Sequence, residues 1–526
     1  MCVILLKQKP KEGFYNQFLK RKRVDINIQK YTNMKEEEQI HEKRIIDLSL
    51  LILFLLPFAV SCGEDKSMQD TTSSVGETSA GTQTTDILSQ LGYKDFNNAT
   101  FLILDANDYP DMHINIATEI NGSSINDAIY KRDAYVKSLY NVNIAYEQIK
   151  GVRTGITAFK NSYLASDYKY QMIISTCGGQ GGTLSNLATE SYLINLNSLP
   201  TIGLTQNWWS SLMYEQLNLG GKMYFTTGDI AASIYNASAA IYANLRLLAD
   251  HMINDNLPDV VRDGKWTLEY MGNLVKNANK DINEDNVMHA DGDFFAFITQ
   301  GSDLAVNGLL IGMGYSPSYI STDGEIIVTG ATDEFFSLVD TLKNILILPT
   351  FTEQNDVITK TFKTDRAFFL LHWVESSHAF LQDMENDFLI LPMPKKDETQ
   401  TEYRSMINPW ANCYVGVPMN ISFDIGNSEF AGFITEALAR ASYMYARPIV
   451  YEMVYMAQQL RNADSQEMLE IIYNTTYSDF MVIYNFGNGG NLIANHIYKG
   501  EPLSIFSGNT EFMNAEVRKA RQAWLG

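Results

Sequence analysis

Beyond residue 97 the chain alternates short apolar runs with helical patterns, and this alternation restricts the fold more than any other feature. Residues 100–105 form an apolar run that ends in a polar, turn-rich segment, which predicts a buried strand and its loop. Residues 126–140 place apolar side chains at helical spacing, while 142–146 and 170–175 read as two further strands. Strands that alternate with helices predict an α/β fold with a parallel sheet.

Ligands of a parallel sheet gather in the loops beyond the carboxyl ends of its strands. The third predicted strand runs into a glycine-rich segment, GGQGG at residues 178–182, where the backbone can approach a ligand closely. This segment lacks the lysine and the spacing of a P-loop and does not match GxGxxG. We therefore do not interpret it as a nucleotide site.

A separate feature lies near the N-terminus, where residues 48–62 read LSLLILFLLPFAVSC. A preceding Arg44, a short apolar core and small residues before Cys62 are typical of a secretory signal that is too short to span a membrane comfortably. The polar segment after Cys62 makes this pattern resemble the lipobox of bacterial lipoproteins. The resemblance implies that residues 1–61 are an upstream extension and signal peptide, that Cys62 is acylated, and that residues 62–96 are a flexible tether. The alternative is an ordinary signal peptide with an incidental cysteine.

The upstream part of this leader is unusual, because a basic run at residues 20–23 lies about two dozen residues before the apolar core. We therefore expect translation to start at Met34 rather than at Met1.

Charge and cysteine content exclude several classes of protein. The formal net charge of −21 argues against nucleic acid or an anionic membrane face as the ligand. No stretch after the leader has the length of apolar sequence that a transmembrane helix needs. Only Cys177 and Cys413 remain after Cys2 and Cys62, so the chain is not a disulfide scaffold, although these two could pair. The histidines show no zinc-ligand spacing.

Four segments, read in order, carry a family resemblance. They are LPTIGLTQNWWSS (199–211), GGKMYFTTGDI (220–230), DGKWTLEYMGNLV (263–275) and ILPMPK (390–395). Together they resemble the extracellular solute-binding proteins of bacterial ABC importers, in the branch that includes the maltose-binding protein. The resemblance covers roughly residues 97–526.

This resemblance implies an α/β fold of the two-lobed, periplasmic-binding-protein type (type II) with a hinge between the lobes. Lobe 1 would comprise residues 97–202 and 412–447, and lobe 2 residues 203–411 and 448–526. The cleft between the lobes would close on a ligand by hinge motion.

The function implied is that of a lipid-anchored, monomeric binding protein outside the cytoplasm that captures a carbohydrate, an oligosaccharide, for an ABC permease. It would have no catalytic residues and would touch the membrane only through its lipid. One alternative is a surface glycan-binding or sensory lipoprotein without a transporter, and another is a ligand that is a peptide or a different polar solute. A glycosidase with two carboxylates across the cleft is a further alternative, but there is no GxSxG motif and no histidine in a triad context.

A sugar site needs aromatic rings that stack on the flat face of the sugar and polar groups that bind its hydroxyls. Trp373 looks like the tryptophan that stacks on sugar in the maltose-binding branch, with core packing as its alternative. Trp208 and Trp209 are adjacent, so we expect one to line the cleft and the other to pack inward. Trp410 lies near the expected second crossing between the lobes, and Asp229 lies where the first crossing would deliver a carboxylate, unless it only caps a turn. Weaker candidates at predicted strand ends are Asp108, Thr176, Glu375 and Tyr414, whereas Trp266 and Trp524 are expected to serve packing.

Residues 280–293, KDINEDNVMHADGD, contain one candidate cation loop. Asp281, Asn283 and Asp285 alternate like the first half of an EF-hand loop. Asn286 then replaces the glycine that such a loop needs, and the twelfth position is Gly292 rather than glutamate. Calcium is thus the one possible cofactor, and a solvated acidic loop is the preferred interpretation.

Overall fold

A computed structural model describes residues 87–526, apart from 111–112, 179–181, 291, 301–302, 317, 322–324, 330–331, 347–354, 420–427, 458–462, 503 and 526. The predicted leader, the predicted acylation site Cys62 and residues 62–86 of the predicted tether lie outside the described residues.

The strands of the described part of the chain are β1 Ala99–Asn107, β2 Val142–Lys150, β3 Met172–Thr176, β4 Phe225–Thr226, β5 Ala239–Asn244, β6 Phe295–Thr299, β7 Ser318–Ile320, β8 Ile326–Val328, β9 Ala367–Trp373, β10 Phe388–Leu391, β11 Ser405–Met406, β12 Cys413–Gly416 and β13 Thr476–Tyr477.

The α-helices of the same residues are α1 Ser124–Tyr140, α2 Val152–Leu164, α3 Leu184–Thr189, α4 Ser211–Leu217, α5 Leu245–Asp250, α6 Leu257–Arg262, α7 Leu268–Leu274, α8 Asp303–Gly312, α9 Asp333–Leu346, α10 Asn355–Lys363, α11 Ser376–Ala379, α12 Ser428–Ala457, α13 Ala463–Asn474, α14 Phe480–Ile483, α15 Gly489–Lys499 and α16 Ser504–Leu525. Short 3₁₀ turns occupy Ser89–Leu91, Leu196–Ser198, Ala232–Tyr235 and Phe486–Asn488.

The first lobe is built on a five-stranded sheet of order β2-β1-β3-β12-β4. The strands β2, β1 and β3 are parallel, as the alternating sequence predicts, and helices connect them. β12 enters the sheet antiparallel to β3 from far later in the chain, with Cys413 opposite Thr176. The sheet therefore joins two distant segments of the sequence.

The expected boundaries between the lobes need two corrections. β4 pairs with β12 in the first sheet, Val415 opposite Thr226, so the first crossing follows Thr226 rather than residue 202. The boundary expected between residues 447 and 448 falls inside α12, which continues to Ala457 even though it contains Pro448. A long helix, rather than a loop, thus carries the chain past that point.

The second lobe is built on a four-stranded sheet of order β10-β5-β9-β6. β5 is antiparallel to both of its neighbours, and β9 is parallel to β6. Every residue of β5 and of β9 is buried, which explains why both strands read as continuous apolar runs rather than as alternating ones.

Two segments run side by side, 227–238 between β4 and β5 and 407–412 between β11 and β12; we call them the hinge segments. Ser238 pairs with Ile407 in a β-bridge, and the Asn408 N–H donates to the Ala237 carbonyl (2.9 Å). The Thr227 hydroxyl donates to the Cys413 carbonyl (2.8 Å). These bonds cross-link the two hinge segments and place the residues around them between the lobes.

The segment before β1 is folded, which corrects the expected extent of the tether. Leu88 is fully buried, and its carbonyl accepts a hydrogen bond from the Tyr140 hydroxyl (3.3 Å). Arg440 Nη1 donates to the Ile87 carbonyl (2.9 Å), and Phe96 packs on Phe430 with ring centroids 4.9 Å apart. Residues 87–96 therefore belong to the first lobe, and the prediction that the tether extends to residue 96 is wrong.

Other sequence expectations concern packing and cysteines. Trp266 and Trp524 are both buried, and their indole N–H groups donate to the carbonyls of Pro392 (2.9 Å) and Ala188 (3.1 Å), as a packing role requires.

Cys177 and Cys413 are both buried and form no disulfide, so the pairing left open by the sequence does not occur.

Within the described ranges, no helix has the length and apolarity that crossing a membrane requires.

Candidate functional site

A pocket of about 320 Å³ lies where the two lobes face each other. Arg153 lines it from α2 of the first lobe, and Pro409 and Trp410 line it from a hinge segment. Asn307 of α8 and several residues of the C-terminal helices complete it from the second lobe. Because α2 follows β2 and α8 follows β6, both walls lie beyond the carboxyl ends of strands, where α/β sheets bind ligands.

Trp410 is the aromatic wall of this pocket and the most exposed tryptophan of the chain, at 41%. Its ring lies against the backbone of Gly178, where a Cβ would be only 2.4 Å from Cγ of the indole. The carbonyl of Pro409 accepts the N–H groups of Cys177 (3.0 Å) and Gly178 (2.7 Å), so the loop that carries the ring is fixed to the end of β3. The part of the ring that does not face Gly178 remains open to a ligand.

The polar groups of the pocket are mostly side-chain amides. Asn307, only 5% exposed, lies against the backbone of Gly490, and Asn485 lies on the segment before α15. Among the described residues neither amide side chain has a hydrogen-bond partner, and both line the pocket. Each amide offers two donor protons and an acceptor oxygen. An exposed aromatic ring beside amides without hydrogen-bond partners suits a polyhydroxylated ligand.

Arg153 brings the only formal charge among the described residues that line the pocket. It is the second residue of α2, and Asp108 holds the start of this helix by accepting the Val152 N–H (3.0 Å). Asp108 does not itself line the pocket. The structure thus gives Asp108 a positioning role near the site rather than the ligand contact that we expected.

Trp208 and Trp209 form a buried cluster around Glu436 of α12. Their indole N–H groups donate to the two oxygens of the same carboxylate, at 2.9 and 2.8 Å. Arg440 pairs with Glu436 (2.9 Å) and lies over the Trp208 ring. Both tryptophans are less than 10% exposed, so the expectation that one of them lines the cleft is wrong.

Trp373, the strongest candidate from the sequence, ends the buried strand β9 and is 5% exposed. It packs in the main hydrophobic cluster, and its carbonyl accepts a hydrogen bond from the Tyr242 hydroxyl (2.8 Å). Trp373 does not line the pocket, so the core-packing alternative describes its place in the structure.

Glu375 follows Trp373 and is buried between the lobes. Its Oε2 lies 3.9 Å from Nε2 of His113, which belongs to the loop after β1. Burial raises the pKa of Glu375 to about 7 and lowers the pKa of His113 to about 4, so neither group holds its charge easily. Glu375 therefore contributes to the contact between the lobes and not to the pocket.

Asp229 lies on the first hinge segment, as expected, but it is 3% exposed. It accepts a short hydrogen bond from the Tyr235 hydroxyl, and its Oδ2 is 3.7 Å from Arg447. Burial raises the pKa of Asp229 to about 7, although Arg447 and Tyr235 oppose that shift. The carboxylate is held inside the hinge and does not line the pocket.

Thr176 and Tyr414 are fully enclosed in the first sheet. The Thr176 hydroxyl has no hydrogen-bond partner among the described residues, and the Tyr414 ring packs edge-on against Phe225. Neither residue lines the pocket. Of the nine ligand-binding candidates that the sequence suggested, the pocket contains only Trp410.

In the acidic loop at 280–293, side-chain oxygens accept hydrogen bonds from the loop's own backbone N–H groups. Asp281 accepts the Asn286 N–H (2.7 Å), and Asp285 accepts the Val287 N–H (2.8 Å). Asn283 likewise accepts the Asp285 N–H (3.1 Å). In the part of the chain that the structure describes, no three acidic, histidine or cysteine side chains are arranged to hold a metal ion. The solvated-loop interpretation fits these contacts, and the calcium interpretation stays a prediction, because residue 291 lies outside the described residues.

Sequence reasoning missed Arg153, Asn307 and Asn485. Arg153 comes shortly after the observed end of β2 at Lys150, but the strand predicted from the sequence ends at residue 146, so the rule that ligands bind at strand ends did not single it out. Asn485 opens the segment NFGNGGN, whose asparagines and glycines mark a loop inside an otherwise helical tail. Nothing in the sequence distinguishes Asn307 from other polar residues of an apolar helix.

No protein-family model matches the sequence, and no curated protein is similar to it. Several solved structures share the fold. A cyclo/maltodextrin-binding protein complexed with maltotetraose is 13% identical over 80% of this chain and 97% of its own, with a TM-score of 0.54.

Two further structures match at a TM-score of 0.51: the maltose-binding periplasmic protein MalE of Listeria monocytogenes (12% identity, 80% of this chain, 98% of that chain) and the galacto-N-biose/lacto-N-biose I-binding protein of a Bifidobacterium longum ABC transporter (11%, 81%, 99%). At these identities the likeness concerns the fold. It confirms the two-lobed α/β fold of the periplasmic binding proteins that the sequence predicts.

Proposed function

We propose that this protein captures a carbohydrate, and specifically an oligosaccharide, in the pocket between its lobes and delivers it to an ABC permease. The observation that carries the proposal is the half-exposed Trp410 ring, fixed over Gly178 and facing the same pocket as the amides of Asn307 and Asn485. An aromatic ring can stack on the apolar face of a sugar, and amides can both donate to and accept from its hydroxyls. The similar structures were solved with maltotetraose, maltose and lacto-N-biose bound, which supports this class of ligand.

The protein binds its ligand and does not transform it. Glycoside hydrolysis uses two carboxyl groups that flank the scissile bond. The described residues that line the pocket include no aspartate and no glutamate, and the structurally similar proteins are binding proteins. These observations favour a binding function over the glycosidase alternative.

Ligand binding and movement of the lobes are coupled through the hinge segments. The pocket takes Arg153 from one lobe and Asn307 from the other, so a ligand that touches both walls binds the closed arrangement more tightly than an open one. A ligand shifts such an equilibrium only by its difference in affinity for the two states. The closed, loaded form is the form that docks on the permease.

The predicted leader places the protein outside the cytoplasm. Acylation of Cys62 anchors it to the cell membrane, with residues 62–86 as the predicted tether. We propose that the protein acts as a monomer at this location, with the ABC permease as its partner.

A thermal-shift screen of the full-length protein in detergent tests the proposed function. The panel contains mono- and oligosaccharides, amino acids and short peptides. A ligand at a hundredfold excess over its Kd stabilises the folded protein by about 2.7 kcal/mol, which raises Tm by roughly a degree or more. We expect a response to one family of oligosaccharides, and small-angle scattering should show a more compact protein with that ligand.

The same screen includes outcomes that contradict the proposal. A response to peptides alone would show that the ligand is a peptide rather than a carbohydrate. Turnover of any glycan would show that the protein is an enzyme and contradict the proposed binding function. As a control for the site, Tyr93→Ala removes an aromatic ring that is 75% exposed and does not line the pocket, so it should leave the response unchanged.

A further inference from the structure

A second groove, of about 760 Å³, lies directly beside the pocket that contains Trp410. One side is formed by α3 of the first lobe and the other by residues 486–488 and α16. Asn485 lines both the pocket and the groove, so the two spaces meet at this residue. The pocket alone is near the lower end of the 300–1,000 Å³ that small-ligand sites usually occupy.

The wall between the two spaces is held in an unusual backbone conformation. Asn485 (φ 50°), Gly487 (φ 61°) and Asn488 (φ 56°) all lie in the left-handed region, which costs energy for a residue that is not glycine. Helix α16 keeps them there, because Asn509 Nδ2 donates to the Gly487 carbonyl (2.7 Å) and Glu516 accepts the Gly487 N–H. These bonds hold the backbone at Gly487, two residues after Asn485, whose side chain has no hydrogen-bond partner among the described residues.

The groove, like the pocket, contains an exposed aromatic ring. Phe512 on α16 is 56% exposed and lines the groove, so it is the exposed aromatic side chain of the groove as Trp410 is of the pocket. The amide-bearing residues Asn186, Asn488 and Asn509 line the same groove, but each of these amides already makes a hydrogen bond within the protein, with Thr183, Asn491 and Gly487 respectively. The exposed ring is therefore the feature that the two spaces share, and a second exposed ring matches a ligand made of repeated units that each present an apolar face.

We propose that the ligand is a linear glycan long enough to pass from Trp410 across Asn485 into this groove, where a further sugar unit packs on Phe512. This inference rests on the proposed function and adds a preference for chain length to it. The groove is more than twice as large as the pocket, so a long chain has more contact surface there than a short one. Glu190, Glu516 and Lys519 line the groove, and Glu190 is paired with Lys160 (2.7 Å), so the groove has no strong charge of one sign, which suits a neutral chain.

Isothermal titration of the full-length protein with length series of α-1,4-, β-1,4- and β-1,3-linked gluco-oligosaccharides, from two to seven units, tests the inference. In the series that binds, we expect affinity to rise with length beyond the units that the pocket can hold. Phe512→Ala should weaken the longest members about three- to tenfold, which is the range for loss of one aromatic stacking contact. It should leave the shortest binding member unchanged.

The variant and its control separate the possible outcomes. Phe512 is largely exposed, so its truncation should not impair folding, and Tyr93→Ala serves as an exposed aromatic outside both spaces. If affinity is independent of length, or if Phe512→Ala does not weaken binding of the longest chains, the groove is not part of the binding site. That result would contradict the inference but would leave the proposal of carbohydrate binding unaffected. If no series binds at any length, the inference fails, and the thermal-shift screen of the wider sugar panel decides the proposed function separately.

Discussion

Two tryptophan sites in this protein each lie against a glycine, yet they have opposite environments. At Trp208 and Trp209 the glycine is Gly228, whose added Cβ would lie 2.3 Å from the Trp208 carbonyl oxygen, so backbone packs on backbone and both indoles bind Glu436. At Trp410 the glycine is Gly178, which supports the indole ring itself and leaves part of the ring exposed.

The difference shows how the same residue type serves stability in one place and recognition in another. A buried indole needs a partner for its N–H group, and Glu436 supplies one for each member of the pair. The Trp410 indole N–H has no such partner among the described residues and remains available to a ligand. Satisfied polar groups therefore mark the structural site, and available ones mark the candidate binding site.

The largest effect should come from removing the partner of the buried pair. Glu436→Ala leaves two indole N–H groups and the Gly203 N–H without an acceptor and leaves Arg440 without its carboxylate. We expect a loss of about 3–5 kcal/mol in the free energy of unfolding, measured by urea denaturation.

The matched control for that variant is Glu429→Ala on the same helix. Glu429 is exposed and pairs with Lys94, so its removal should change the unfolding free energy by less than about 1 kcal/mol. Equal effects of the two variants would show that the Trp208–Trp209 cluster is not a stabilising anchor.

A second effect concerns the buried hinge carboxyl Asp229, whose pKa is raised by burial to about 7 from an ordinary value near 4. The folded protein therefore keeps a proton that the unfolded chain loses between pH 4 and pH 7. Stability contributed by this group is present below pH 4 and falls as pH rises towards 7, by an amount on the order of 4 kcal/mol.

Comparison of wild type with Asp229→Asn isolates this contribution. Burial lowers the pKa values of His113 and His372 to about 4, so these residues make the unfolding free energy rise with pH, but they do so in both proteins and cancel in the comparison. We expect the unfolding free energy of the variant to rise relative to wild type between pH 4 and pH 7. Parallel pH profiles for the two proteins would mean that Asp229 titrates normally and is open to solvent.

A smaller effect should come from the glycine below the exposed ring. In Gly178→Ala the new methyl group would overlap the Trp410 indole, so the ring must shift. We expect about a tenfold loss of affinity, near 1.4 kcal/mol, for the glycan that stabilises the protein most. Gly272→Ala in α7, where a Cβ meets no atom within 4 Å, should leave binding unchanged. Unaltered affinity in Gly178→Ala would argue that the ring position does not matter.

The sequence predicts the elements of the first sheet well because their signals are local. The apolar run before residue 105 and the helical spacing of residues 126–140 correspond to β1 and α1 within a few residues. Side-chain environments depend on distant partners instead. Glu436 meets Trp208 across 228 positions of sequence, so no local pattern could show that the Trp208–Trp209 pair is buried.

The pocket shows the same limit. Trp410 could be chosen because it lies beside Pro409 near an expected crossing. Asn307 lies on α8 and Asn485 on the segment before α15, and only the folded chain brings them together. Trp373 has the right residue type at a strand end, and its strand carries it into the core. Residue type and strand ends therefore indicate a class of site without fixing which side chains form it.

The most direct test of a carbohydrate bound against Trp410 is acrylamide quenching of tryptophan fluorescence with and without the glycan identified in the screen. Of the six tryptophans, Trp410 is 41% exposed and the other five are at most 6% exposed, so quenching should report one residue. We expect the accessible emission to be lost at saturating glycan and to be absent in Trp410→Phe. Unchanged quenching while the glycan is bound would place the ligand elsewhere and contradict the account.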